Sequence, residues 1–161
     1  MYDVRPTSRW RLATAVAGVT ICVAISAGCG APPPPTLGVD GGELALCPAT
    51  PNCVHTGNGH PDGMMPIHLR AEDESSWGDV RAVVEAMPRL TVVSVSGRYM
   101  HAQERSRLFG FVDDMELLLV EDGELVVRSA SRLGRSDLGV NARRVERLRV
   151  ALSEAGLLAL R

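Results

Sequence analysis

Asp113, Asp114 and Glu116 put three carboxylates within four positions, and Arg128, Arg132 and Arg144 follow where one chain reversal can bring them close. Paired carboxylates permit general acid and base work when their surroundings push their pKa values apart. Clustered guanidiniums present forked donors to a carboxylate or a phosphate. Ser129, Ser131, Asp137 and Asn141 lie among them. The candidate polar or anion-binding site is therefore Asp113, Asp114, Glu116, Arg128, Ser129, Ser131, Arg132, Asp137, Asn141 and Arg144. The competing account is neutralisation within one folding unit, because Asp113–Glu124 holds six acids and Arg128–Arg149 holds seven Arg. The chain has no Lys, so all 17 of its basic residues are Arg and their abundance is weak evidence for a ligand. The same absence excludes lysine-based covalent chemistry. No Ser/His/Asp order or nucleophile elbow occurs, and His101, expected beside Ser94, reads as structural. No catalytic residue and no cofactor is assigned.

A second constellation is Cys47 and Cys53. A disulfide closing this short Pro-containing loop would contribute about 2–3 kcal/mol by the loop-entropy argument. The alternative is a metal site recruiting His55, His60 or His68, but the spacing matches no standard zinc pattern, so no metal is assigned. A redox pair would want Cys-x-x-Cys at a helix start.

The segment Phe109–Arg149 must position the polar set. Asp122-Gly123 between two apolar runs predicts a hairpin, since tight hairpin turns need positive φ. A two-residue loop, or a four-residue loop over Glu121–Glu124, sets Leu119 opposite Val126, Leu117 opposite Arg128, Met115 opposite Ala130 and Asp113 opposite Arg132. Phe109, Phe111, Met115, Leu117, Leu119 and Val126 then share one face with Asp113, Arg128 and Arg132. Val112, Leu118, Val120, Leu125, Val127 and Leu133 take the other, with Asp114, Glu116, Ser129 and Ser131. A three-residue loop would slip the register by one and break the Asp113–Arg132 pair. Asn141 is the expected N-cap of a helix whose stripe is Val145, Leu148, Leu152 and Ala155, and Gly156 its stop.

FVDDMEL followed by VRSASRLGRSDLGVNARRVERLR resembles the signature of an uncharacterised bacterial and plastid family, domain of unknown function 1499. CPATPNCVHT resembles that family's other signature, Cys-Pro-x-Ser-Pro-Asn-Cys-Val-Ser-Ser, with Thr50 for the first Ser and His55-Thr56 for the closing pair. The resemblance runs from Leu46 to about Leu152 and implies no established activity.

Upstream, Arg5, Arg9 and Arg11 precede an uncharged stretch, Leu12–Gly28, and then Cys29. This reads as a secretory leader. Ile-Ser-Ala-Gly-Cys resembles a lipobox, with Ser26 where Leu is commonest, so residues 1–29 are expected to end in lipidation at Cys29. Ordinary cleavage nearby, for example after Ala31, an uncleaved anchor helix and a buried helix are the alternatives. Residues 30–43 are rich in Pro and Gly and are expected to be an extended tether. Residues 44–161 are expected to form one domain.

Within it, Met65–Leu69 is a short edge strand. Ser76 caps a helix striped by Trp77, Val80, Val83 or Val84 and Met87, which Pro88 ends. Leu90–Ser96 and Tyr99–Arg105 form a hairpin over Gly97-Arg98, with Val95 opposite Met100 and Val93 opposite Ala102. A bend is expected near Gly110. The fold class is α+β, a curved antiparallel sheet of about five strands in the order β-α-β-β-β-β-α with its helices on one face.

Three of the 17 Arg and one of the 19 acids precede Cys29, leaving 14 against 18 and a net charge of −4 that disfavours nucleic acid. The expected protein is extracytoplasmic and membrane-anchored. It binds a small amphiphile or an envelope partner without chemistry; a carboxylate hydrolase and a structural accessory of a membrane complex are the alternatives.

Overall fold

A computed structural model describes residues 31–57, 63–71, 74–106 and 109–159. The leader, Cys22, Cys29 and His60 lie outside the described residues, and no described helix is long and apolar enough to cross a membrane. The elements are β1 (Val39–Asp40), β2 (Glu43–Leu44), β3 (Cys53–His55), β4 (Ile67–His68), α1 (Glu74–Ala86), β5 (Leu90–Ser96), β6 (Tyr99–Arg105), β7 (Val112–Leu119), β8 (Glu124–Ser131) and α2 (Val140–Glu154). The architecture is α+β: six strands form an open antiparallel sheet in the order β3-β8-β7-β6-β5, and β4 shares the β3 edge of β8. The expected count of about five omitted β3, which the Cys-Pro signature supplies. β1 and β2 form a separate small hairpin.

Both helices cover one face of the sheet. Trp77, Val80, Val84 and Met87 of the α1 segment meet Val145, Leu148 and Leu152 of α2 over Met100, Ala102, Met115, Leu117, Leu119, Leu125 and Val127. The helical spacing of these residues and the alternation along the strands make this one layer. α1 begins at Glu74, ahead of the expected Ser76 cap. α2 ends at Glu154, and Gly156 takes φ +71°, the left-handed stop its position predicts.

Two registers depart from expectation. In the first hairpin, Ser96 faces Tyr99 and Val95 faces Met100 as the turn predicts, but a bulge at Val93 sets Val92, not Val93, opposite Ala102. The second departure matters more. The β7–β8 loop has three residues, Glu121–Gly123, with Asp122 at φ +62° and Gly123 at φ +71°. Leu119 therefore faces Leu125, Leu117 faces Val127, Glu116 faces Arg128 and Asp113 faces Ser131. The expected Asp113–Arg132 pair does not form. Every β8 side chain changes face relative to β7, so Val126, Arg128 and Arg132 leave the helix-facing layer while Leu125, Val127, Ser129 and Ser131 enter it.

The opposite face is covered by residues expected to be a free tether. Arg132 Nη1 donates to the Ala31 carbonyl at 2.8 Å, and the Gly38 amide donates to Glu116 Oε1 at 2.7 Å. Leu44 packs on Leu118 and Val126, with Tyr99 and Val120 beside them. From Ala31 onward this strip lies along the sheet and does not stand clear of it.

Candidate functional site

The slipped register divides the candidate residues between two buried networks on opposite sides of the sheet. They are not one site.

The helix-side network is built around Arg144, which sits on the sheet-facing stripe of α2 and is 1% exposed. Its Nε donates to Glu104 Oε2 at 2.6 Å, Nη2 to Asp113 Oδ2 at 2.6 Å and Nη1 to Ser129 Oγ at 2.8 Å and to Asn141 Oδ1. Glu104 also accepts from Arg147 at 3.0 Å and pairs with Arg89 at 2.7 Å. Asn141 is buried and donates to the Asn52 carbonyl at 2.9 Å and to Ser131 Oγ at 3.1 Å, while Ser129 Oγ donates to it at 2.8 Å. Asn52 donates in turn to the carbonyls of Ser131 and Gly134. Asn141 is thus a tie between the Cys-Pro loop, β8 and α2, and not the helix cap that was expected. Asp137 takes the capping role: its two carboxylate oxygens accept from the amides of Gly139 at 2.9 Å and Asn141 at 2.6 Å. Gly139, at φ +77°, stands where the helix begins.

The outer network lies beneath the strip from Ala31 to Leu44. Asp114, 1% exposed, accepts from Arg132 Nε and Nη2, both at 2.7 Å, and its Oδ1 lies 2.8 Å from His101 Nε2. Glu116 is fully buried and accepts from Arg128 Nη1 at 2.9 Å, Tyr99 Oη at 3.0 Å and the Gly38 amide. Burial alone would push the Asp114 carboxyl up, but the Arg132 hydrogen bonds, then those of His101, hold it below its ordinary value. The Arg132 guanidinium rises correspondingly through its bonds to Asp114. Tyr99 is raised far above an ordinary phenol, first by burial and then by the Glu116 charge and hydrogen bond.

This arrangement suits structure better than proton transfer. A carboxylate held ionised by a forked guanidinium makes a poor acid and a weak base near neutral pH. Asp113 and Asp114 are neighbours in sequence but face opposite layers, so they do not work as a pair. A cleft of about 320 Å³ does reach Asp114, Arg128 and Arg132 between Pro34 and the Cys47–Cys53 loop. Arg128 Nε is buried there without a hydrogen-bond partner.

Cys47 and Cys53 lie at disulfide distance, with sulfurs 2.10 Å apart. Their thiolates are therefore not ligands, and among the described residues no three His, Cys, Asp or Glu side chains converge on one point. Sequence reasoning missed Glu104, Tyr99, Asn52 and the part played by His101. A signal existed for Glu104: it alternates with Met100 and Ala102 on an apolar face, and Arg144 occupies a stripe position four residues before Leu148.

Compared with known families, residues 43–152 match a family model described as protein of unknown function, DUF1499. The comparison with curated proteins gives no match.

Proposed function

The chain belongs to the DUF1499 family, and on that premise we propose that it is an exported, membrane-tethered lipoprotein whose domain binds a small amphiphile or an envelope partner without catalysing a reaction. The observation that carries this reading is the Cys47–Cys53 pair at disulfide distance. Such bonds persist in oxidising compartments and are rare in the cytosol. It agrees with the leader composition and with Cys29 as the acylated residue. The carboxylates support the non-catalytic part, because Glu104, Asp113, Asp114 and Glu116 are each engaged by Arg.

The test is native mass spectrometry of the full chain extracted from membranes in mild detergent. The expected species lacks the leader, carries acyl chains on Cys29 and retains the Cys47–Cys53 bond, together with any bound amphiphile. A full-length chain with an unmodified Cys29, recovered from the soluble fraction with reduced Cys47 and Cys53, overturns the reading.

A further inference from the structure

One end of the sheet gathers exposed apolar side chains. Phe109 and Phe111, in the β6–β7 connection, are 61% and 44% exposed and stack on each other with ring centroids 5.5 Å apart. They are the only two Phe of the chain. Leu133 and Leu138, in the β8–α2 connection, are 45% and 85% exposed. Val112 ties the two connections together, since it pairs with Arg105 and its carbonyl accepts from the Arg132 amide. Leu138 is also held at φ +53°, a left-handed conformation that costs a side-chain-bearing residue stability. A strained Leu turned to solvent asks for a reason outside the fold.

Charge is divided along the same axis. Arg105, Arg135 and Arg143 are exposed at this end, where Arg143 Nη1 also donates to the Leu138 carbonyl. The described connections here carry Asp137 as their acid, and it is engaged in capping α2. At the far end, Asp40, Glu43, Glu121 and Asp122 are exposed around the β1–β2 and β7–β8 turns.

The position of Ala31 says what this end faces. Its carbonyl is held by Arg132, and Cys29 precedes it by two positions. Two residues reach at most about 7 Å even when fully extended. Whether the leader is replaced by acyl chains on Cys29 or kept as an anchor, the described chain begins at the end of the sheet that carries the Phe109–Phe111 pair, because Arg132, which holds Ala31, also bonds through its amide to the Val112 carbonyl. The strip Pro32–Glu43 is not a free spacer, because it runs from this end to the opposite one along the outer face.

We propose that this end, formed by Phe109, Phe111, Leu133 and Leu138 with Arg105 and Arg135 around them, docks into an anionic lipid surface and fixes the domain's orientation on the membrane. The proposal rests on the reading of the leader as a membrane attachment. Exposed apolar side chains inserted at headgroup depth, ringed by cations, are what interfacial binding uses. Each Arg near an anionic leaflet adds attraction that salt weakens. Docking here points the acidic turns away from the membrane and leaves the outer cleft at Arg128 beside it.

The experiment places one tryptophan at the tip. Phe111→Trp is made in a Trp10→Phe background, so that the buried Trp77 is the internal control. The full chain is reconstituted into vesicles of phosphatidylcholine and phosphatidylglycerol with and without acyl chains brominated near the headgroup. About half of the added emission should be lost to bromine, with Trp77 little changed, and the loss should fall when phosphatidylglycerol is omitted. Unquenched emission overturns the proposal. Emission that is unquenched yet shifts to the red on dilution gives the face to a second copy and overturns it equally. The mass of the same sample reports the anchor separately. Acylated Cys29 with an unquenched tip defeats this proposal alone. An unacylated soluble chain defeats the lipoprotein reading, and the quenching of that chain on added vesicles still decides the tip.

Discussion

The register of β7 against β8 can be tested energetically through Arg132, which one alignment pairs with Asp113 and the other with Asp114. In the structure, Asp114 and Arg132 share two hydrogen bonds at 2.7 Å, and their side chains are 1% and 7% exposed. Removing one member of so buried a pair leaves the other charge uncompensated and costs about 3–5 kcal/mol. Asp114→Ala also strands His101, so it belongs at the upper end of that range. Removing both charges takes away the uncompensated partner as well, so the double variant should be milder than the sum of the singles by about 1.5–3 kcal/mol. Asp113 lies across the sheet, bonded to Arg144 at 2.6 Å. Asp113→Ala and Arg132→Ala share no partner and should add to within about 0.5 kcal/mol. Urea unfolding of the six chains, with the Cys47–Cys53 bond intact and the slope compared across variants, gives all the values needed. Coupling between Asp113 and Arg132 as large as that between Asp114 and Arg132 would refute the slipped register, and with it the division into two networks.

Three further outcomes follow. Asp114 has a folded pKa below its ordinary value, so the stability it contributes is complete above the unfolded carboxylate range and is lost as pH falls through the folded value. An acid limb should therefore appear below about pH 4 and weaken in Asp114→Asn. Tyr99 is shifted the other way: its contribution is complete below an ordinary phenol pKa and is lost as pH rises past about 10, an alkaline limb that Tyr99→Phe should remove in thermal melts at fixed ionic strength. Asp137→Ala removes the acceptor for two amides at the start of α2 and should cost about 1 kcal/mol in the same melts, whereas an N-cap role for Asn141 would leave Asp137→Ala neutral.

Much of this fold is legible in local patterns. The α2 stripe through Leu152, the Gly156 stop, the Gly97-Arg98 turn and the α1 stripe appear in the structure where their spacing puts them, because each follows from one helix or one turn, whereas Ala155, expected on the α2 stripe, lies one residue past the helix and is exposed. The hidden features are those that depend on two segments meeting. β3 is a three-residue strand with no alternation long enough to announce it; its partners Arg128, Ser129 and Ala130 make it a strand. The strip from Ala31 to Glu43 looks like a spacer by composition, and it becomes a cover only because Glu116 and Arg132 offer buried partners for its backbone.

The sequence alone determined that a hairpin forms around Asp122-Gly123, that acids and guanidiniums gather on it, and that a helix follows with an apolar stripe. It also carried the two signatures that mark the family. Which face each charge takes was decided only in three dimensions. The strand repeat is two residues, so the parity of one short loop assigns every side chain of β8, and hairpin loops of two, three or four residues are all common. Packing settles the choice. With the three-residue turn, Leu125 and Val127 meet the helices and Arg128 meets Glu116, so the apolar layer closes and Glu116 receives an opposite charge.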